Sequence, residues 1–178
     1  MTSCPALRQL LGAVAAMALL AGCGGEIAGT PKSPQGARPA VDPCTVLADA
    51  DLAQLGMRLE TRRTVEELDA LGCGWLGEPL SLTLTTNPDT VADYRARGDD
   101  PVFVTLEENQ VNDRHGVQTQ VDTTGEACTQ VMGTGPGVLA VGVALSARAS
   151  VDGLQIDPCA EVLRIAELIE PRLPEPEA

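Results

Sequence analysis

Leu80-Ser81-Leu82-Thr83-Leu84-Thr85-Thr86 alternates a large aliphatic residue with a small polar one over most of its length. Because successive side chains of a β-strand point to opposite faces, this stretch predicts a strand with one buried and one solvated face. Residues 73–76 lie before it, and the turn-forming residues Gly77-Glu78-Pro79 separate the two. The stretch is therefore the predicted second arm of a β-hairpin in an antiparallel sheet.

Later apolar stretches, separated by Asn, Asp, Gly and Pro residues, predict the rest of the sheet. Residues 57–63 are a candidate edge strand, and the pattern of residues 65–71 is ambiguous. We expect about five to six strands in all. The later predicted strands are residues 102–107, 117–122, 128–134 and 138–145.

The last of these strands, residues 138–145, is apolar or small on both faces. This pattern favours a central position in the sheet, with a helix packed on the side that carries Ala140, Gly142 and Ala144. A short helix is predicted over residues 90–97, between Asn87-Pro88-Asp89 and Gly98.

The tripeptide Asp-Pro-Cys occurs at residues 42–44 and again at residues 157–159. Asp is a favourable N-cap, and proline is tolerated at the first helical position because an N–H there has no helical partner. The first copy predicts a helix that is bent or broken at Asp49 and ends at Gly56. The second predicts a long helix with a late kink at Pro171. The fold class is therefore α+β, with N-terminal and C-terminal helices packed on an antiparallel sheet.

The cysteines predict two disulfides. Cys44, Cys73, Cys128 and Cys159 remain once Cys4 and Cys23 are assigned to an N-terminal export signal. An even number of cysteines in an exported chain indicates disulfides, and three pairings are possible. We favour Cys44–Cys73 and Cys128–Cys159, because each pair then joins a helix start to a nearby strand. A zinc site is disfavoured because zinc ligands usually occur in close pairs, and no metal site is expected.

The export signal ends in Leu20-Ala21-Gly22-Cys23, which resembles a bacterial lipobox. Residues 10–20 form an apolar run that is too short to span a bilayer but typical of a secretory signal. We expect cleavage before Cys23 and acylation of its thiol. The predicted organisation is listed by segment: signal peptide, residues 1–22; acylated cysteine and flexible linker, 23–41; one α+β domain, 42–174; disordered tail, 175–178.

The charge of the chain argues against nucleic-acid binding. The formal net charge is −13, and removing residues 1–22 with Arg8 makes it −14. Such a surface repels nucleic acid and anionic lipid headgroups, which are bound through clusters of lysine and arginine. With one Trp, one Tyr and one Phe, the core is expected to be aliphatic.

The sequence contains no recognisable set of catalytic residues. His115, the only histidine, follows Asp113 in a polar run that fits a hairpin turn better than a general-base site. No serine lies in a nucleophile elbow, and the neighbouring acids Asp99 and Asp100 fit a solvated loop better than a calcium site. The glycines of residues 133–137 lack the lysine of a phosphate loop. We therefore predict a protein that is not an enzyme and has no cofactor.

Trp75 lies two residues after Cys73, so the two side chains share one face of the predicted strand. Packing over the disulfide is the simpler interpretation. The alternative is an aromatic wall of a ligand cleft.

Taken together, the lipobox, the Pro-rich linker, both Asp-Pro-Cys motifs, Cys73-Gly74-Trp75 and the final Pro171-Arg172-Leu173-Pro174 resemble an actinobacterial lipoprotein family, domain of unknown function 3558. The resemblance covers residues 42–174 and implies export and a sheet with helices packed on it, but no catalytic residues. We expect a lipoprotein anchored to the outer face of the cytoplasmic membrane that binds a protein or cell-envelope partner. The alternative is a carrier or sensor of a small apolar or lipid-like ligand held between sheet and helix.

Overall fold

Seven antiparallel strands form one sheet in a computed structural model that describes residues 40–67 and 69–175. The order across the sheet is β1-β2-β3-β7-β6-β5-β4. The α+β class with an antiparallel sheet is confirmed, and the strand count exceeds the predicted five to six. The strands are β1 Arg63–Glu67, β2 Ala70–Trp75, β3 Leu80–Asn87, β4 Thr105–Val111, β5 Arg114–Gln120, β6 Ala127–Gly133 and β7 Val138–Leu145.

Four α-helices and two short 3₁₀ helices accompany the sheet within these described residues. Of these helices, only the last, at residues 158–169, is long enough to cross several strands. Its N-cap is Asp157, whose side chain accepts hydrogen bonds from the backbone N–H groups of Cys159 and Ala160. The helices are α1 Asp49–Gln54, α2 Val91–Ala96, α3 Ala147–Val151 and α4 Pro158–Ile169, with 3₁₀ turns at Leu59–Thr61 and Glu170–Arg172.

The main core lies between the sheet and α4, which packs against β6 and β7. We call this side of the sheet the helix face. Leu82 and Leu84 of the alternating stretch are fully buried there, as the alternation predicts. They meet apolar side chains that are at most 3% exposed on β7 and at most 1% exposed on α4. These are Leu139, Val141 and Val143 from β7, and Val162, Ile165, Ala166 and Ile169 from α4.

The first Asp-Pro-Cys makes a turn rather than a helix. Asp42 Oδ1 accepts from Cys44 N, but regular helix begins only at Asp49, so the predicted element is broken there. Residues 57–62 also differ from the predicted edge strand. Met57 pairs with Gly77 in one isolated bridge, and Leu59–Thr61 forms a 3₁₀ turn.

The additional strand, β1, overlaps the ambiguous region. Arg63–Glu67 forms β1 at one edge of the sheet, and Ala70–Trp75 extends the predicted strand at 73–76 towards the N-terminus. β1 has four exposed residues and one half-buried residue, Val65. An exposed edge strand needs no alternating pattern, so hydrophobic periodicity cannot reveal it.

β7 occupies the centre of the sheet, as its composition predicts. The helix predicted on the Ala140 side is the short helix α2, while the long helix α4 covers the Leu139, Val141 and Val143 side. On the other side, Val91 and Tyr94 of the short helix α2 pack against Ala140. The larger apolar side chains of β7 bury more surface against the long helix, which is the favourable arrangement.

Both predicted disulfides are present. Cys44–Cys73 joins the N-terminal turn to β2, and Cys128–Cys159 joins β6 to the first turn of α4. Both core clusters and both disulfides are built from residues 41–173, so this part of the chain carries its own fold.

The two ends of the described chain are also joined by an ion pair. Arg172 Nη1 donates to Asp51 Oδ2 at 2.6 Å and to the carbonyl oxygen of Val46 at 3.0 Å. The hydrogen bond from Arg172 lowers the pKa of Asp51 below its ordinary value of 3.8. A carboxyl group with a lowered pKa in the folded state stabilises the fold at pH values above its unfolded pKa.

We therefore expect Arg172→Gln to lower the free energy of unfolding at pH 7. The difference from wild type should shrink as the pH falls from 3.8 through the lowered pKa of Asp51, because the carboxylate that Arg172 stabilises then becomes protonated in the folded protein as well. Urea unfolding at a series of pH values measures this. Arg148→Gln is the control, since it removes a pair between well-exposed side chains. A loss in Arg172→Gln that stays constant down to pH 2 would contradict the role given to Asp51.

Candidate binding surface

The sheet surface opposite α4, which we call the threonine face, is partly covered by α2, and beyond that helix its residues on β3, β7 and β6 are half-buried. One row of residues crosses it in continuous register from edge to edge. Strand pairing places each member directly beside the next, although they come from seven different strands. In order from β1 to β4 this crossing row is Arg63, Gly74, Thr83, Gly142, Thr129, Thr119 and Leu106.

Two glycines make low points in the crossing row. A methyl group placed on Gly74 would lie 3.2 Å from Arg63 Nε and 3.5 Å from Thr83 Oγ1. A methyl group placed on Gly142 would lie 3.5 Å from Thr129 Oγ1. Gly74 is buried with the Arg63 and Thr83 side chains beside it, whereas Gly142 is half-buried next to Thr129.

The threonine hydroxyl groups of the row have no hydrogen-bond partner among the described residues. Within the part of the chain that the structure describes, Thr83, Thr119 and Thr129 make no side-chain hydrogen bond. The buried side-chain polar atom that lacks a partner in this part is Oδ2 of Asp122, and none of the three threonine oxygens is in that class. The three hydroxyl oxygens are thus not sealed from solvent. Thr119 is notable because its residue is only 3% exposed, yet its hydroxyl has no partner there.

Helix α2 borders the threonine face at one end of the strands. Val91 and Tyr94 pack on Val131, Val138 and Ala140, forming a second, smaller core. Arg95 Nε lies 2.9 Å from Glu108 Oε2 and so attaches the helix to the edge strand β4. The crossing row lies one step along each strand from the row that contains Ala140, on which α2 packs.

Arg63 provides the charge in the row. Six of the nine described arginines form ion pairs with acids, whereas Arg58, Arg62 and Arg63 form none with any residue in the ranges 40–67 and 69–175. The opposite end of the row is apolar. Leu106 lies there beside the exposed side chains of Val104 and Val121.

The predicted site residues are distributed as follows. Cys23, the signal peptide and residues 23–39 of the linker lie outside the described residues, as do residues 176–178 of the tail. Trp75 is 2% exposed and lies in the main core with Cys73, in the packing position that its spacing allows. Its alternative role as a ligand-cleft wall stays a prediction.

His115 lies on β5 beside a two-residue hairpin turn formed by Asn112 and Asp113. Asn112 has a positive φ of 52°, a conformation that asparagine tolerates in such turns. The His115 side chain is exposed and makes no hydrogen bond to Asp113 in the described structure. Nothing in this geometry orients the imidazole as a base.

A surface pocket of about 450 Å³ lies at the N-terminal end of α4. Its lining includes Glu126, Ser150 and Asp157. The acids are engaged locally: Glu126 accepts a hydrogen bond from Ser150, and Asp157 caps α4.

Nearby, a hydrogen bond from the Thr124 hydroxyl lowers the pKa of Asp122. No group of side chains among the described residues is arranged to hold a metal ion.

Sequence reasoning did not identify the crossing row. The alternation of Leu and Thr in β3 indicates that Thr83 faces away from the core. That signal does not show which residues of other strands lie beside it, because register between distant strands depends on the tertiary fold.

Comparison with protein families identifies the class. The family model described as protein of unknown function (DUF3558) matches residues 18–172. This match spans most of the chain, and the protein belongs to that family, as the cysteine and lipobox contexts indicate. Neither the curated proteins nor the solved structures contain a significant match.

No helix within residues 40–67 or 69–175 has both the length and the apolar character needed to cross a lipid bilayer.

Proposed function

We propose that this protein is an exported lipoprotein, anchored to the outer face of the cytoplasmic membrane, that binds a cell-envelope partner without catalysing a reaction. The observation that carries the binding proposal is the threonine face, where half-buried threonines without a hydrogen-bond partner and the exposed, unpaired Arg63 lie in one row of the described strands. A threonine hydroxyl both donates and accepts, so those of Thr83 and Thr129, which the described residues leave without a partner, are available to hydrogen-bond a ligand.

Export is supported by the two disulfides. Disulfides persist in oxidising compartments outside the cytoplasm and are rare inside it. The bonds Cys44–Cys73 and Cys128–Cys159 therefore support an oxidising compartment for the folded part. Family membership is consistent with it, since the match begins at residue 18, within the apolar run before Cys23.

The lipid anchor rests on the sequence Leu20-Ala21-Gly22-Cys23. Each buried CH₂ of an acyl chain contributes about 0.8 kcal/mol to membrane binding, and more than one chain is needed for stable attachment. Acylation of Cys23 thus supplies the membrane partner, while the linker between Cys23 and the folded part sets the reach of the domain.

The second candidate, a carrier of an apolar ligand between sheet and helix, has less support. The space it requires is occupied by side chains of the main core, and those of α4 that face the sheet are at most 1% exposed. A solid core together with an open polar face favours a surface-binding protein over a cavity-based carrier.

A Cys23→Ala variant tests the anchor. Wild-type protein in its native host is expected to incorporate an alkyne-labelled palmitate and to sediment with membranes, whereas Cys23→Ala is expected to lose the label and the sedimentation. Cys4→Ala is the matched control, because Cys4 precedes the proposed cleavage site and its loss should change neither readout. Equal labelling of wild type and Cys23→Ala would rule out the proposed anchor.

A further inference from the structure

We propose that the edge strand β1 pairs with β1 of a second copy of this chain, so that two sheets join into one across a two-fold axis. This inference concerns the edge of the sheet rather than the envelope partner proposed above, and it does not depend on that partner. It is carried by the free backbone edge of β1 and by the order of the charges along the strand.

β1 lies at one end of the sheet, so β2 is its only neighbour among the described strands. The other side of an edge strand presents N–H and C=O groups with which a further strand can pair. Four of the five residues of β1 are exposed, and Val65 between them is half-buried. Among the described residues no strand pairs with this side, which leaves it available to a second copy.

The charges of β1 match those of an antiparallel copy. When the two-fold axis passes through Val65, Arg63 lies opposite Glu67 of the second copy, and the symmetry repeats the pair on the other side of the axis. The three residues alternate along the strand and so share the threonine face. Side chains directly opposite each other on antiparallel strands have Cβ atoms about 4.5–5.5 Å apart, so both ion pairs can form.

The charged groups of these pairs are not engaged within one copy. Arg63 and Glu67 form no ion pair with any residue in the ranges 40–67 and 69–175. Both side chains are exposed. Pairing with a second copy therefore breaks no ion pair of the described structure, and each guanidinium gains a carboxylate.

The remaining residues of β1 are compatible with the same register. At the axis, Val65 meets Val65 of the second copy, and β-branched residues pack well as a cross-strand pair. On the opposite face, Thr64 lies opposite Glu66 of the second copy. No like charges therefore face each other along the paired strands.

The other edge of the sheet lacks this match. β4 carries Glu107 and Glu108 near its middle. A second copy paired with its axis at or between these two residues brings acid against acid, and like charges directly opposite each other destabilise a strand pair. We therefore expect self-pairing at β1 and not at β4.

The interface is small. A strand of five residues is about 17 Å long, so the paired edges fall short of the roughly 800 Å² that each partner buries in a stable complex. We expect a weak dimer that forms at chain concentrations of up to about 1 mM. The anchor proposed on Cys23 would hold copies at one membrane surface and raise the effective concentration of their edges. The test below uses the folded part alone and does not depend on that anchor.

Residues 40–178, labelled with ¹⁵N, can be diluted from about 1 mM while amide shifts and translational diffusion are recorded by NMR, in about 0.15 M salt to screen the net repulsion between copies. The amides of β1 are expected to shift with concentration. Arg63→Glu and Glu67→Arg should each weaken this self-association about tenfold, because each places like charges opposite each other on both sides of the axis. Arg58→Glu is the matched control, since it makes the same charge change at an exposed, unpaired arginine outside β1.

An equimolar mixture of Arg63→Glu and Glu67→Arg separates the proposed register from general charge effects. One variant carries only acids at the two positions and the other only arginines, so the mixture is expected to associate at least as well as wild type. A mixture that associates no better than either variant alone would refute the register. The dimer is also refuted if β1 amides do not shift up to about 1 mM, if the shifts fall on β4 instead, or if Arg58→Glu weakens association as much as Arg63→Glu.

These outcomes are separable from those that test the envelope partner. The NMR measurement contains no partner other than the chain itself. In a crosslinking experiment, a product that joins two copies through β1 has twice the mass of the chain, which distinguishes it from envelope material captured at position 83.

Discussion

Loss of the Cys128–Cys159 disulfide, in a Cys128→Ala and Cys159→Ala double variant, is expected to lower the free energy of unfolding by about 3.5 kcal/mol. The disulfide closes a loop of 31 residues, and removing it increases the conformational entropy of the unfolded chain. The bond also holds the first turn of α4 against β6, and α4 supplies one side of the main core. The midpoint of urea unfolding is the readout.

The Cys44→Ala and Cys73→Ala double variant provides a comparison, because its loop has nearly the same size, with a sequence separation of 29. The two losses should therefore agree to within about 1 kcal/mol if loop entropy dominates. A change of less than about 1 kcal/mol for both double variants would show that these disulfides do not stabilise the fold.

Gly72→Ala is expected to destabilise the protein by at least about 3 kcal/mol or to prevent folding. A methyl group on Gly72 would lie 1.9 Å from the carbonyl oxygen of Leu84 and 2.8 Å from the Cα of Thr85. Both are backbone atoms of β3, so the clash cannot be relieved by rotating a side chain. The β2–β3 pairing must move apart, and it lies directly beside the main core.

Gly74→Ala is the matched control, two residues further along the same strand. The nearest atom to its added methyl group is Arg63 Nε at 3.2 Å, the end of a flexible and exposed side chain. We expect a change of less than about 1 kcal/mol in thermal or urea unfolding. If Gly72→Ala were as stable as Gly74→Ala, the close approach of β2 and β3 described here would be wrong.

Much of the fold could be predicted from local sequence signals. The hairpin follows from the alternation of Leu80, Leu82 and Leu84, whose burial the structure confirms. The disulfide pairing follows from the position of Cys44 and Cys159 in repeated Asp-Pro-Cys contexts. These signals work because strand periodicity and helix capping act within a few residues of sequence.

The remaining features depend on contacts between distant residues. β1 has no alternating pattern because both of its faces are largely exposed, so the sequence placed Arg63 at the end of a candidate strand over residues 57–63 rather than at the start of β1. The side of β7 that receives α4 depends on which of two apolar faces buries more surface. The crossing row depends on the register of all seven strands at once, which is set by their packing and not by any one segment.

The central claim is that the threonine face is where this protein meets the cell envelope. A photo-crosslinking amino acid placed at position 83 of the full chain, in its native host, tests this claim most directly. Position 64, on the opposite side of the sheet, serves as the control. We predict a crosslink to envelope material from position 83 and little or none from position 64. Equal crosslinking from both positions, or none from position 83, would contradict the account.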